Sequence, residues 1–208
     1  MARKWLLMCG ILSMLWYVVI NIIVPARYPG YDIVSQTVSE LSAIDAPTRP
    51  LWFALCTFYT LLFIAFGSGI WLSANGNRKL KIVAAVVLFD GILGFYWPPM
   101  HRREVIAAGG GTITDTLHLA WAFVHLGLML LMIGFGAAAS GKVFRIFSVT
   151  IVLVFLVFGM LTAKESMGIE AGLPTPHAGI WERINIGAYM LWVIVFAILL
   201  LGRNNKPA

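Results

Sequence analysis

Long uninterrupted apolar runs dominate the chain, and polar residues are confined to the intervals between them. A hydrocarbon core about 30 Å thick requires roughly 20 predominantly apolar residues in helical form. Six stretches meet that requirement: 5–24, 51–73, 80–97, 116–139, 146–163 and 181–202. The runs are continuous and not alternating, which excludes barrel strands. A lipid-embedded backbone that must satisfy its own hydrogen bonds is then helical. The pattern predicts an all-α fold, a single membrane domain 1–208 built as a six-transmembrane-helix bundle. A short interfacial helix is expected in the first outer loop. There Val34, Val38 and Leu41 recur at i, i+4 and i+7, giving 34–43 one apolar face, with Ser35, Thr37, Ser39, Glu40 and Ser42 on the rest. Pro47 and Pro50 end it and start the second span. The first run is longer than the 7–15 residues of a signal-peptide core and lacks a small-residue cleavage site, so it is expected to be a retained anchor.

Composition agrees with the pattern. The chain is 60% hydrophobic and 12% charged, where a soluble domain carries about 25% charged residues. A net charge of +6 would suggest nucleic acid in a soluble protein. Here the basic residues sit in short clusters between apolar runs, where they set orientation, so no nucleic-acid partner is expected. With the N-terminus inside, the inner segments hold Arg3, Lys4, Arg78, Lys79, Lys81, Lys142, Arg145, Arg203 and Lys206. Those are nine of the 15 basic residues, and no acid accompanies them. The outer segments hold the other six and eight of the nine carboxylates. Both termini are therefore expected to be cytoplasmic. Trp5, Trp52, Trp71, Trp97 and Trp181 fall at span ends, the level indole rings favour. Cys9 and Cys56 lie inside apolar runs and read as small core hydrophobes.

Charge within the spans points to chemistry. Asp90 lies near the middle of the third run, where an ionised group costs about 2.5–3.5 kcal/mol on insertion scales and usually faces a partner inside the bundle. His125 is the natural partner. Counted at 1.5 Å per residue from the connection that joins their helices, both lie roughly 12–15 Å deep. The pair is either a clasp between helices or a functional pair such as a proton relay. Asp115, His118 and His125 share one face of the fourth span, at i, i+3 and i+10. Thr112 to Asp115 also has the form of a capping box. His118, Asp90 and His125 are thus the candidate catalytic residues, and His118 and His125 the candidate metal ligands. Zinc hydrolysis needs three N/O/S ligands and an open position; His118, His125, His101, His177, Asp90 and Glu40 are numerous enough, but no HExxH-like spacing is present, so no cofactor is predicted and zinc stays an open alternative. Haem would need opposed histidines from two spans, whereas His118 and His125 lie on one. Glu40, His101, Arg102, Arg103, His177, Glu182 and Arg183 all fall outside. Glu182 suits a helix N-terminus, Arg183 can snorkel, and Arg102 and Arg103 suit lipid phosphate or an anionic substrate. Gly109-Gly110-Gly111 lacks the Lys-Ser/Thr of a phosphate loop and reads as a hinge.

Four short motifs carry a resemblance: Ser39-Glu40-Leu41-Ser42-Ala43 after the first span, Pro98-Pro99 closing the third, Asp115-Thr116-Leu117-His118 opening the fourth, and Trp181-Glu182-Arg183 opening the last. Over nearly its whole length the chain resembles the six-span prokaryotic membrane family termed domain of unknown function 998. Ser39, Glu40, Leu41 and His118 match that family's outer-loop motif and fourth-span histidine, and Ser42 stands where a glycine is usual. The resemblance implies a prokaryotic plasma membrane and no assigned activity. The expected function is a multi-pass membrane protein with an outward-facing polar cavity for a lipid headgroup or small extracytoplasmic molecule. Ser39, Glu40, Asp115, His118, Glu182 and Arg183 are the expected ligand-binding residues, and membrane lipids the expected partners. Three alternatives stay open: a membrane-embedded lipid hydrolase or transferase, a proton-coupled carrier, and a non-catalytic accessory subunit. The sequence assigns no oligomeric state.

Overall fold

A computed structural model describes residues 1–203; Lys206, counted above among the inner basic residues, lies outside them. The described chain forms α1 (Ala2–Ile23), α2 (Arg49–Ser73), α3 (Arg78–Leu93), α4 (Arg103–Ala107), α5 (Ile113–Ala138), α6 (Lys142–Ser166) and α7 (Ala178–Arg203), with 3₁₀ turns at Pro25–Arg27 and Val38–Ser42 and no strand among the described residues. Five of these helices, α1, α2, α5, α6 and α7, are long and apolar enough to cross a membrane. Large side chains such as Leu12, Phe58, Phe123, Leu153 and Ile198 stand exposed along them, more bare apolar surface than water tolerates. The protein is a membrane protein.

The remaining long helix, α3, has 16 residues. Asn77 starts it, its side chain accepting from Lys79 N–H (3.0 Å) and Leu80 N–H (3.2 Å). It ends four residues before the expected Trp97, because Pro98 and Pro99 have no N–H to donate and bias the chain before them away from helix. The residues 78–98 nevertheless match much of the length of α5. Lys79 Nζ donates to Ala138 O at one end of α5 (3.1 Å). Pro98 O meets His118 near the other end, roughly 30 Å away at 1.5 Å per residue.

Neighbouring helices close a ring in the order α1, α2, α3, α5, α6, α7 and back to α1. Leu7, Met14, Phe63, Phe66, Val87, Met132, Trp192 and Phe196 fill its middle. Small residues allow the close approaches typical of membrane bundles: a Cβ on Gly10 would come within 2.5 Å of Phe66, and one on Gly136 within 2.7 Å of Trp192. One end of the bundle carries the long connections (24–48, 94–112 and 167–177), the other only short ones.

The first long connection differs from the expected helix over 34–43. Helix is confined to the turn Val38–Ser42, launched by a capping box in which Thr37 and Glu40 bond reciprocally. Residues 32–35 form a separate turn, the Asp32 carboxylate accepting from Val34 N–H, Ser35 N–H and Ser35 Oγ–H. Val34 is therefore exposed, while Val38 and Leu41 are buried against Ile20 and Val24. The turn plugs the mouth of the bundle.

Candidate functional site

The long-loop end and the layer beneath it gather nearly every polar side chain that the sequence singles out. His118 lies in the second turn of α5 and is 6% exposed. Its Nδ1 is 2.7 Å from Pro98 O. A carbonyl can only accept, so Nδ1 carries the proton and Nε2 is left as the acceptor. Ser39 Oγ–H, half-buried on the 3₁₀ turn, donates to that Nε2 at 3.1 Å. Trp97 Nε1–H points between the two ring nitrogens, 3.0 Å from Nδ1 and 3.3 Å from Nε2, off the axis of the Nε2 lone pair that Ser39 faces.

A clamp holds the turn that presents Ser39. Arg103 forks onto Glu40, Nε donating to Oε2 and Nη2 to Oε1, both at 2.6 Å. Two parallel charge-assisted bonds are the strongest geometry available to this pair, and the Glu40 bond raises the Arg103 guanidinium above its ordinary pKa. Arg103 also reaches Ser35 O and Thr175 Oγ1, each at 3.0 Å. From α7, the Glu182 carboxylate accepts Val38 N–H. Arg183 donates to Tyr31 Oη (2.8 Å), Ile33 O (3.0 Å) and Gln36 O (3.2 Å). Burial pushes the Tyr31 phenol well above its usual value, so it stays neutral beside Arg183. Asp115 completes the capping box expected at Thr112, accepting Thr112 N–H at 2.8 Å, and takes both the backbone N–H (2.7 Å) and Nδ1 (2.9 Å) of His101.

Beneath this rim Asp90 and His125 meet as their matched depths require: His125 Nδ1 is 2.7 Å from Asp90 Oδ1, with the side chains 7% and 8% exposed. The approach is close but off-line for a hydrogen bond. Asp90 Oδ1, His125 Nε2 and Trp121 Nε1 are all buried without a hydrogen-bond partner. Trp97 joins the two levels. Its ring stacks on His125 (centroids 4.6 Å apart, planes at 30°) and meets His118 edge-on at 5.6 Å.

The expected residues thus separate into several small groups. Ser39 joins His118, Asp90 joins His125, and Glu40 turns away from both to Arg103. Arg103 is spent on that carboxylate, and Arg183 binds loop carbonyls. Asp115 is tied to His101, and His177 stacks on Trp181 at 5.3 Å. His118 and His125 are separated by the Trp97 ring. Among the described residues no group of three or more His, Cys, Asp or Glu side chains could hold a metal ion. A groove of about 180 Å³ lies beside the clamp, lined by Arg103, Glu104, Ala107, Ile169, Gly172 and Leu173; Ser39, His118, Asp90 and His125 do not line it. Trp97 and the Pro98 carbonyl are the contacts of His118 and His125 that sequence reasoning missed, Trp97 having been read only as an interfacial anchor.

A family model described as Protein of unknown function (DUF998) matches residues 11–199. No curated protein and no solved structure matches the chain.

Proposed function

The chain belongs to this family, whose description assigns no activity, and on that premise we propose a six-span plasma-membrane protein whose outward-facing polar site takes a lipid headgroup or a small extracytoplasmic molecule. The observation that carries this reading is the pair of buried atoms without a hydrogen-bond partner, His125 Nε2 and Trp121 Nε1, beneath the half-buried Ser39–His118 contact. A buried polar group left unsatisfied costs about 1–3 kcal/mol, so each such group calls for a partner. A hydroxyl, amine or phosphate reaching down from the long-loop end supplies the missing partners.

Orientation and span count have their own supports. The short-loop end carries Arg78, Lys79, Lys81, Lys142, Arg145 and Arg203, which the positive-inside rule places in the cytoplasm together with both termini. The segment 78–98 runs beside α5 from one end of the bundle toward the other, which supports a sixth crossing.

The test is a photoreactive phospholipid, labelled in its headgroup, mixed into nanodiscs of phosphatidylethanolamine and phosphatidylglycerol around the full chain. Cross-links concentrated at 38–42, Trp97 and Trp121, and weakened several-fold in Asp90→Asn and His125→Ala, are expected. Cross-links spread evenly over the lipid-facing side chains of α6 count against the site. A second reading, a proton-coupled carrier, is favoured by the Asp90–His125 approach alone. It requires pH-dependent solute uptake that Asp90→Asn abolishes. If the polar residues only fasten the helices together, both variants lose folded yield instead.

A further inference from the structure

Resting on the outward lipid site just described, we infer that Ser39 and His118 form a nucleophile–base pair that cleaves or transfers the acyl ester of an outer-leaflet phospholipid. Nucleophilic serines are recognised by three relations: a hydroxyl within hydrogen-bond reach of a base, the base's lone pair aimed at that hydroxyl, and a third group fixing the base. All three are present. Ser39 Oγ is 3.1 Å from His118 Nε2, and Pro98 O holds Nδ1 at 2.7 Å. Because that carbonyl fixes the proton on Nδ1, the nitrogen facing Ser39 is the basic one. The two partners come from sequence positions 79 residues apart, and each is held independently: Ser39 by the capping box and the Glu40–Arg103 fork, His118 by α5 and Pro98.

The depth selects the bond. Of a bilayer 40–45 Å thick about 30 Å is hydrocarbon, so acyl esters lie roughly 5–8 Å below each surface. His118 follows the first residue of α5 by five positions, about 7–8 Å along the helix. With the first turn of α5 set at the headgroup surface, the pair stands at the ester level, and its serine side is the partly exposed one.

The step balances without a cofactor. Ser39 Oγ passes its proton to His118 Nε2 and bonds to the ester carbonyl carbon, giving a tetrahedral oxyanion. The carbon–oxygen bond to the lipid alcohol then breaks, and the alkoxide takes the proton back from Nε2. Water entering from the outer face gives a proton to Nε2 and attacks the acyl-serine, releasing the carboxylic acid as Ser39 recovers its hydrogen; an acceptor alcohol in place of water gives acyl transfer. Trp97 supplies a donor: its indole N–H, 3.0 Å from Nδ1 and 3.3 Å from Nε2 in the resting pair, stands beside the reacting atoms for the oxyanion. Such donors act on charge that develops in the transition state.

The experiment uses the full chain in vesicles of phosphatidylglycerol and phosphatidylethanolamine, with a fluorophosphonate probe, peptide mapping and fatty-acid release as readouts. Wild-type protein is labelled at Ser39 and releases fatty acid. Ser39→Ala loses both, and His118→Gln slows labelling about 10²-fold or more, the usual contribution of a positioned base. Ser39→Cys guards against a folding artefact: its thiol reacts with iodoacetamide faster with His118 present than in the Ser39→Cys/His118→Gln double variant. Labelling elsewhere, or Ser39 labelling and thiol reactivity indifferent to His118, overturns the inference. If headgroup cross-links persist at 38–42 while neither labelling nor release occurs, the inference falls and the lipid site stands. If cross-links are also missing, both fall.

Discussion

At the scale of single residues, the costliest contact to break is the Glu40–Arg103 fork. Glu40 is almost wholly buried, and Arg103 supplies both of its short ionic bonds. Removing one member of such a pair leaves an uncompensated charge, at about 3–5 kcal/mol. Arg103 is partly exposed, so Arg103→Ala is expected near the lower end of that range. Arg103→Lys, which cannot fork, falls between it and wild type. Thermal unfolding in detergent reads both. Asp32 gives a pH-dependent counterpart. The Ser35 hydroxyl, donating at 2.6 Å, is the main cause holding its carboxyl below the ordinary 3.8. A depressed carboxylate stabilises its turn fully above the ordinary pKa and loses that contribution as pH falls through the depressed one. Hydrogen exchange corrected for intrinsic rate should therefore show Val34 and Ser35 equally protected from neutral pH down to the ordinary value of 3.8 and losing protection only below it. In Asp32→Asn this pH dependence is absent.

At the scale of elements, the first long connection is seated on α7 by an absence of side chain. A Cβ on Gly179 would lie 2.2 Å from Gln36 O and 2.4 Å from Ile33 O. Both are backbone atoms that cannot swing aside. Gly179→Ala should lift 33–37 from α7 and loosen the Arg183 bonds, at the 1–3 kcal/mol typical of overpacking; limited proteolysis should cut within 32–37 sooner than in wild type. This seating also explains what was legible beforehand. Helix periodicity and rise fixed the long helices and put Asp90 level with His125, because both quantities are local. The turn at Val38 had a signal too: Thr37-Val38-Ser39-Glu40 has the capping-box form, which starts helix at Val38 and leaves Val34 outside. The fork was not legible. Arg103 and Glu40 are 63 residues apart, and neither periodicity nor depth relates two loops. Ser39 facing His118 was hidden for the same reason, since the short motifs that named both residues say nothing of their distance. Trp97 has the placement of an interfacial anchor; its stacking on His125 follows only once α3 packs against α5.

At the scale of the whole molecule, every outward assignment depends on the parity of crossings, and α3 decides that parity. Its 16 residues cover about 24 Å, short of a 30 Å core. The contacts argue that 78–98 completes the passage. Lys79 is tied to Ala138 at the short-loop end, and Pro98 to His118 near the start of α5. Between Leu93 and Pro98, Phe95 and Tyr96 stand exposed and Trp97 packs inward, an aromatic set suited to the membrane–water boundary. A re-entrant α3 would instead return both of its flanking connections to one side. Two single-cysteine variants on a Cys9→Ser/Cys56→Ser background separate these cases: Arg78→Cys and Ala108→Cys, both at exposed positions. In intact cells a membrane-impermeant maleimide should label Ala108→Cys and should reach Arg78→Cys only after permeabilisation. Labelling of both from outside would make α3 re-entrant and five the number of crossings. It would also put the termini on opposite sides and separate the positive-inside count from the face that carries Ser39.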